Sequence, residues 1–294
     1  MDTKKCEAFL ISAETGSFTQ AAHILGVTQV GITRLIAGLE DDLGFSLFSR
    51  SKKGVVLTEN GKLMLPAFRE LVYAAKNAEQ LGAQINGVVS GSLTIGSYYS
   101  ISTMVLPKII KVFQQKYPHV KVNMKEGGNS EMARWLTEKS VDCCFLAEPD
   151  GTPCDWTPIL KDEIVAWLPK NHPLAGAESF PVERLCNEPF IHTQPGEDTE
   201  LDRLLEQHHL NPDVCFTTND AFTAYNMVAA GLGISINQRM ISLKWDGSVA
   251  EVPFDPPQYV SLGIAVPSKK DASPAARKFI ECAVELIGRK DSSE

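Results

Sequence analysis

The sequence predicts a mainly α N-terminal domain, one long helix and a C-terminal α/β domain. Three observations lead to this fold class. Short helical patterns lie N-terminal to residue 44, a single helical pattern runs from 59 to about 88, and strand and helix patterns alternate from 91 onward. Such alternation is typical of an open α/β sheet rather than a sandwich. A chain of 294 residues is long enough for two or three domains, each with its own core.

Two short helices joined by a tight turn are predicted within residues 14–43. Ala21 and Ala22 permit close packing of helices, and Gly26 ends the first of the two. Thr28 can cap the N-terminus of the second helix through its hydroxyl. The second helix has one buried face, because its apolar residues recur at spacings of three and four: Ile32, Leu35, Ile36, Leu39 and Leu43.

The opposite face of this second helix is polar and offers Gln29, Thr33 and Arg34. Gln pairs with adenine edges, Arg pairs with guanine edges or phosphate, and Thr pairs with a base or a phosphate. This is the layout of the recognition helix in a helix-turn-helix motif. We therefore predict that Thr28, Gln29, Thr33 and Arg34 contact DNA.

A two-stranded wing is predicted from Gly44 to Thr58, with a turn at residues 51–54. Its cationic side chains, Arg50, Lys52 and Lys53, are predicted to contact DNA as well. The distribution of charge supports a DNA-binding segment within an acidic chain. Residues 1–87 carry nine basic and nine acidic side chains, so the whole net charge of −8 lies C-terminal to them. Because the cationic footprint of one subunit is modest, we expect a dimer or a larger assembly.

A long helix is predicted from Glu59 to about Val88, with Pro66 near its first turns, where proline is tolerated. Its apolar residues follow an imperfect heptad-like spacing: Leu63, Leu71, Val72, Ala75, Ala78, Leu81 and Ile85. The pattern leaves two interpretations open. The helix is either a solvated connector or a dimerisation helix packed on its twin.

The N-terminal segment resembles the LysR-type transcriptional regulators. The motifs that carry this resemblance lie within residues 5–66 and keep their spacing: Gly16-Ser17-Phe18-Thr19-Gln20-Ala21-Ala22, Val27-Thr28-Gln29, Leu39-Glu40, Leu43-Gly44, Leu47-Phe48, Arg50 and Leu57-Thr58-Glu59-Asn60-Gly61. The chain departs from the family at Val30-Gly31, where a proline usually follows the Gln. The resemblance implies a winged helix-turn-helix domain over 1–58, a linker or dimerisation helix with a hinge over 59–90, and an effector-binding domain over 91–294. It also favours the dimerisation helix, and a homotetramer over a homodimer.

The C-terminal part resembles the effector-binding domain of the same family more weakly. The matching motifs are Leu106-Pro107, Tyr117-Pro118, Val141-Asp142, Leu168-Pro169, His172-Pro173-Leu174 and Ala229-Ala230-Gly231-Leu232-Gly233-Ile234. The resemblance implies a fold like that of periplasmic binding proteins, with two α/β lobes between which the chain crosses twice. Lobe I is then about 91–163 plus 267–290, and lobe II is about 164–266.

A small-molecule site is expected beyond the carboxyl ends of the strands, where helix N-termini present amide groups. The expected effector is a carboxylate or an aromatic metabolite. An Arg found in some aromatic-acid sensors of the family is replaced here by Ala147-Glu148, which weakens the case for a dicarboxylate. The predicted effector-binding residues come from the strand ends of both lobes: Ser100, Ile101, Asn129, His192, Thr193 and Asp220. Each also has a structural interpretation, with Ser100 and Asp220 as helix caps and His192 as a hydrogen-bonded strand residue.

The sequence thus predicts a cytoplasmic, ligand-responsive regulator of double-stranded promoter DNA, without a metal, cofactor or membrane partner. No apolar run approaches the ~18 residues of a membrane span. An enzyme or a transport-type binding protein is the alternative from another class, but the glycine pairs complete no nucleotide-binding motif and no G-x-S-x-G elbow is present. A thiol-based peroxide sensor acting through Cys186 and Cys215 is kept as a minor alternative.

Overall fold

In the computed structural model, the described part of the chain comprises residues 2–51, 54–149, 151–195 and 199–288. The side chains of Arg50 and Ser51 also lie outside it. The chain divides into two compact units: residues 1–91 with 138–140, and residues 92–137 with 141–294. Within the described residues, no single helix is long and apolar enough to cross a membrane. One pair, Phe18–Leu25 with Gln29–Leu43, meets that test by length and composition only and is bent by 105°.

The N-terminal unit contains four helices and a two-stranded sheet in its described residues: α1 (Thr3–Thr15), α2 (Phe18–Leu25), α3 (Gln29–Leu43), β1 (Phe48–Ser51), β2 (Gly54–Leu57) and α4 (Glu59–Ile85). The side chains of Ser17, Thr28 and Thr58 cap α2, α3 and α4 respectively. Thr28 accepts a hydrogen bond from the Gly31 amide at 3.1 Å, so the predicted cap of α3 is confirmed. The antiparallel pairing of β1 and β2 confirms the predicted wing.

The core of the N-terminal unit is built around aromatic rings. The ring of Phe9 on α1 lies 5.2 Å from that of Phe48 and 5.1 Å from that of Phe68, measured between centroids. Phe68 and Val72 on α4 are buried in this core together with the apolar face of α3. The first half of α4 therefore stabilises the helix-turn-helix, although it lies beyond the 1–58 range expected for that domain.

The carboxylate of Glu40 on α3 holds the wing against the recognition helix. Its Oε1 accepts hydrogen bonds from the Leu47 amide at 2.6 Å and from the Phe48 amide at 3.1 Å. A second link joins the wing to the turn after α1, where the Val55 amide donates to the Gly16 carbonyl at 3.0 Å. Gly16 adopts a φ of 63°, a left-handed conformation that favours glycine. These contacts fix the wing relative to α3.

The C-terminal unit alternates strands and helices, and its described elements are β3 (Gly91–Ser97), α5 (Tyr99–Met104), α6 (Leu106–Lys116), β4 (Val120–Glu126), α7 (Asn129–Thr137), β5 (Cys143–Ala147), β6 (Asp155–Pro169), β7 (Phe180–Pro181), β8 (Phe190–Thr193), α8 (Glu200–Gln207), β9 (Val214–Thr218), α9 (Ala221–Ala229), β10 (Ser235–Gln238), α10 (Arg239–Ser242), β11 (Val249–Val266) and α11 (Pro274–Gly288). Residues 99–116 form two consecutive helices, α5 and α6, rather than one continuous helix. Val105 ends the first, and Pro107 lies in the first turn of the second, where its missing amide hydrogen costs nothing.

The strands of this unit form one mixed sheet in the order β10-β6-β11-β5-β3-β4, with β7 beside β11 and a separate parallel pair β8-β9. The two longest strands, β6 and β11, run antiparallel to each other along their length, with register shifts at Pro253/Gln258 and Leu262/Gly263. One end of this pair joins β5, and through β5 joins β3, while the other end joins β10. The expected α/β domain, following a mainly α domain and a long helix, is therefore confirmed.

Candidate functional site

The exposed face of α3 presents fewer free polar groups than the sequence suggests. Thr28 is engaged as the helix cap, and the Thr33 hydroxyl donates to the Gln29 carbonyl at 3.0 Å. Gln29 and Arg34 are exposed, whereas Ile32, Ile36 and Leu39 on the opposite face are buried. Of the predicted DNA contacts at α3, Gln29 and Arg34 therefore have exposed side chains that are available to contact DNA.

Apolar side chains border these two polar residues. Val30 is 62% exposed and Val27 is 45% exposed, at the N-terminal end of α3. From the sequence alone, Val30 was identified only as a departure from the proline usual in the family, and its exposure was not predicted. An exposed aliphatic group at this end of a recognition helix suits contact with the methyl group of thymine. Of the predicted wing contacts, Lys52, Lys53 and the Arg50 side chain lie outside the described residues.

A cavity of about 580 Å³ lies in the C-terminal unit. It is bounded on one side by the loops that open α5 and α7, and on the other by the starts of α8 and α9 and the end of β10. Four predicted effector residues line it: Ser100, Asn129, Thr193 and Asp220. The chain therefore brings together residues that are up to 120 positions apart in the sequence.

The other two predicted effector residues do not line this cavity. Ile101 is fully buried, because it lies on the core face of the short helix α5. His192 is bound through Nε2 to the carboxylate of Asp202 at 2.8 Å, which fits the structural interpretation of a hydrogen-bonded strand residue. The cap interpretation also holds for Asp220, whose Oδ1 accepts a hydrogen bond from the Thr223 amide at 2.7 Å. It does not hold for Ser100, which lies inside α5.

The carboxylate of Glu200 is the centre of the polar network in the cavity. Its Oε1 accepts hydrogen bonds from the Tyr98 hydroxyl at 2.9 Å and from the Asn129 Nδ2 at 3.5 Å. Its Oε2 accepts from the Gln238 Nε2 at 3.4 Å, and Gln238 in turn accepts from the Ser100 hydroxyl. The Tyr98 hydroxyl also lies next to the Asn129 Oδ1, and its single hydrogen is donated to one of these two acceptors at a time. The network thus joins the two sides of the cavity through neutral donors.

Burial raises the pKa of the Tyr98 hydroxyl well above its usual range, and the negative charge of Glu200 raises it further. The hydroxyl therefore stays protonated and acts as a donor to Glu200. Glu200 and Gln238 were not predicted from the sequence as cavity residues, although the sequence contains one local signal for Glu200. Thr199 and Asp202 form a capping box, which places Glu200 in the first turn of α8. A carboxylate is favoured in that position by the helix dipole.

Most of the cysteine thiols are affected by burial. Burial raises the pKa of five thiols: Cys6, Cys143, Cys144, Cys154 and Cys282. The exposed Cys215 lies 3.8 Å from the carboxylate of Asp213. In the described part of the chain, no group of three or more His, Cys, Asp or Glu side chains is arranged to hold a metal ion.

Family models match both units of the chain. Residues 3–62 match the bacterial regulatory helix-turn-helix protein family of lysR type, and residues 86–287 match the LysR substrate binding domain. Among individual proteins, the chain is 32% identical over 291 residues to a Bacillus subtilis (strain 168) protein named uncharacterized HTH-type transcriptional regulator YvbU. That match covers 98% of this chain and 99% of the relative.

Solved structures match over nearly the whole length of the chain. A full-length single-substitution variant of OxyR from Pseudomonas aeruginosa is 23% identical, with a TM-score of 0.74, over 98% of this chain and 97% of that one. CbnR in complex with its target DNA is 20% identical, with a TM-score of 0.67, over 97% of this chain and 99% of that one. At these identities the likeness supports the fold alone. Together with the two family models, the relative from Bacillus subtilis shows that the chain belongs to the LysR family of transcriptional regulators, with an N-terminal helix-turn-helix and a C-terminal substrate-binding domain.

Proposed function

We propose that this regulator reads its operator DNA chiefly through Gln29 and Arg34 of α3, with Val30 as an apolar neighbour. The observation that carries this proposal is the division of α3 into a buried apolar face and an exposed face on which these two side chains are free. Thr28 and Thr33 then act by shaping the helix. Arg50, Lys52 and Lys53 of the wing remain proposed as phosphate contacts on the basis of the sequence.

The solved structure of CbnR with its target DNA supports the use of this fold for DNA recognition. We propose that this chain binds double-stranded promoter DNA as a homodimer or homotetramer, in the cytoplasm. Leu63 and Ile85 on α4 are each 78% exposed, which fits a helix that packs against a second copy. Paired recognition helices would read half-sites separated by about one helical turn or more. The domain ranges 1–58, 59–90 and 91–294 remain proposed, with α4 shared between the first two.

We propose that the cavity of the C-terminal unit binds the effector. Ser100, Asn129, Thr193 and Asp220 line it, whereas Ile101 and His192 are left out of the proposed site because they do not. Its size fits the cavities that hold small molecules in other proteins. The two lobes, about 91–163 with 267–290 and about 164–266, would change their angle when the effector binds. Such a change requires unequal affinity of the effector for the two arrangements.

The test of DNA reading begins with operators selected from a random DNA library by the full-length protein. Arg34→Ala should weaken binding to the selected operator by about 5- to 150-fold, because a bidentate contact to guanine contributes roughly 1–3 kcal/mol. Gln29→Ala should relax the preference at one base pair. Binding is measured by fluorescence anisotropy at several salt concentrations, since each lost phosphate contact lowers the salt slope by about 1.

Arg184→Ala serves as the matched control, because it removes the same side chain from an exposed position in the C-terminal unit. The control should bind the selected operator as the wild type does. If Arg34→Ala and Gln29→Ala both bind the operator as tightly and as selectively as the control, the proposed reading surface is wrong.

A further inference from the structure

Acidic side chains dominate the cavity of the C-terminal unit. The described residues that line it include four carboxylates, Glu126, Glu131, Glu200 and Asp220, and no Lys, Arg or His. Two of the four interact within their own helical segment. Glu131 pairs with Arg134 at 3.8 Å on the exposed surface of α7, and Asp220 caps α9. The described side chains that line the cavity therefore carry a net negative charge.

Glu200 is the carboxylate with the best-defined position. It is held by three neutral donors, Tyr98, Asn129 and Gln238, and it has no ion-pair partner among the described residues. Neutral donors orient a carboxylate without cancelling its charge. A second carboxylate placed in this cavity would therefore meet repulsion, and a cation would meet attraction.

The rings of Tyr99 and Phe222 and the hydroxyl of Thr193 also line the cavity. Tyr99 is 51% exposed and Phe222 is 52% exposed, and both line the cavity. The faces of such rings attract ammonium and guanidinium groups. Thr193 is only 7% exposed, lines the cavity, and forms no side-chain hydrogen bond within the residues that the structure describes. Its hydroxyl is therefore available to a polar group of a ligand in the cavity.

We propose that the ligand of this cavity carries a protonated amine, which binds to Glu200 and lies against the rings of Tyr99 and Phe222. A neutral polar group of the same ligand then pairs with the Thr193 hydroxyl. This inference rests on the proposed role of the cavity as the effector site. It replaces the carboxylate suggested by the sequence with a ligand of opposite charge.

The test uses isothermal titration calorimetry on the full-length protein with matched pairs of probes that differ in charge. The pairs are 1,4-diaminobutane against succinate, and tyramine against 4-hydroxyphenylacetate. We expect binding of at least one amine and of neither carboxylate. Phe222 packs on Trp245 with a centroid separation of 5.1 Å, so an amine in the cavity should also change tryptophan fluorescence.

Three variants assign the charge recognition to one residue. Glu200→Gln keeps the hydrogen-bond acceptor but removes the charge, and it should weaken amine binding at least about tenfold. Glu200→Lys should abolish amine binding and allow a carboxylate to bind. Glu206→Gln, an exposed position at the other end of α8, is the matched control and should bind amines as the wild type does.

Three results would overturn the proposal. The first is that carboxylates bind and amines do not, and the second is that amines bind Glu200→Gln as tightly as they bind the control. The third is that no amine in the panel binds at about 10 mM, a concentration above the millimolar dissociation constants of weak complexes. The operator-binding assay on the same preparations distinguishes a failure of the amine proposal from a failure of the proposed DNA-binding function. A protein that binds its selected operator through Arg34 but binds no amine retains its proposed DNA reading and loses only this ligand class.

Discussion

Glu40 should stabilise the wing more than any other single side chain on α3. Its carboxylate accepts hydrogen bonds from two backbone amides, those of Leu47 and Phe48. Glu40→Ala leaves both donors without this partner, and Leu47 is fully buried. A hydrogen bond to a charged group contributes roughly 1.5–3 kcal/mol, so the loss of both should cost about 3 kcal/mol in the local free energy of opening.

Hydrogen exchange measured by mass spectrometry on the full-length protein is the suitable assay. All four tryptophans lie beyond residue 134, so tryptophan fluorescence does not report on the N-terminal unit. A loss of about 3 kcal/mol corresponds to roughly a hundredfold faster exchange of the amides around Leu47. Glu40→Gln retains an acceptor oxygen and should lie between the wild type and Glu40→Ala.

Asp41→Ala is the matched control, because this neighbouring carboxylate is exposed. It should change the exchange rate of the same amides less than about twofold, as surface substitutions usually have small effects. The reasoning is refuted if Glu40→Ala and Asp41→Ala give the same exchange around Leu47. In that case the packing of Phe9, Phe48 and Phe68 alone holds the wing.

Three further substitutions test the fold. Burial raises the pKa of Asp162 from its usual 3.8 to about 6, so the stability that this residue contributes is fully present below 3.8 and is lost as the pH rises through 6. Between about pH 5 and 7 the unfolding free energy of the wild type should therefore fall by roughly 1 kcal/mol more than that of Asp162→Asn. The measurement is urea unfolding followed by tryptophan fluorescence, and identical pH profiles for the two proteins would contradict the assignment. Thr28→Ala should lower the stability of the N-terminal unit by about 1 kcal/mol through loss of the cap, and Thr28→Ser should not, as judged by circular dichroism at 222 nm. Gly61→Ala should cost about 1–3 kcal/mol in the same measurement, because a Cβ there would overlap the Leu47 carbonyl, whereas Gly82→Ala on the same helix meets nothing and should be tolerated.

The N-terminal unit was predictable from sequence because its determinants are local. The cap at Thr28, the stop at Gly26 and the apolar spacing of α3 all act within a few residues of one another. What sequence could not predict is which polar groups on the exposed face are already engaged. The hydrogen bond from Thr33 to the Gln29 carbonyl depends on a rotamer, and many rotamers are compatible with the same sequence pattern.

The cavity was predictable only in part, because its residues meet across long separations in the chain. Tyr98 and Glu200 are hydrogen-bonded although 102 positions separate them. The rule that ligands bind at helix N-termini after strands selected the loops at Ser100 and Asn129, and both residues line the cavity. That rule could not distinguish Ile101, which is buried, from Tyr99, which is exposed on the same short helix α5. The orientation of α5 depends on the packing of the whole C-terminal unit.

The position of Glu200 suggests how a ligand would act on the rest of the molecule. Tyr98 and Asn129 approach this carboxylate from one side of the cavity, and Gln238 approaches it from the other. A ligand cation that binds Glu200 must compete with these donors, so it changes the hydrogen bonds that join the two sides. A ligand that only covered the rings of Tyr99 and Phe222 would leave those bonds intact. Because a ligand shifts an equilibrium only by its differential affinity for the two states, contact with Glu200 is what would give a bound amine control over the arrangement of the lobes.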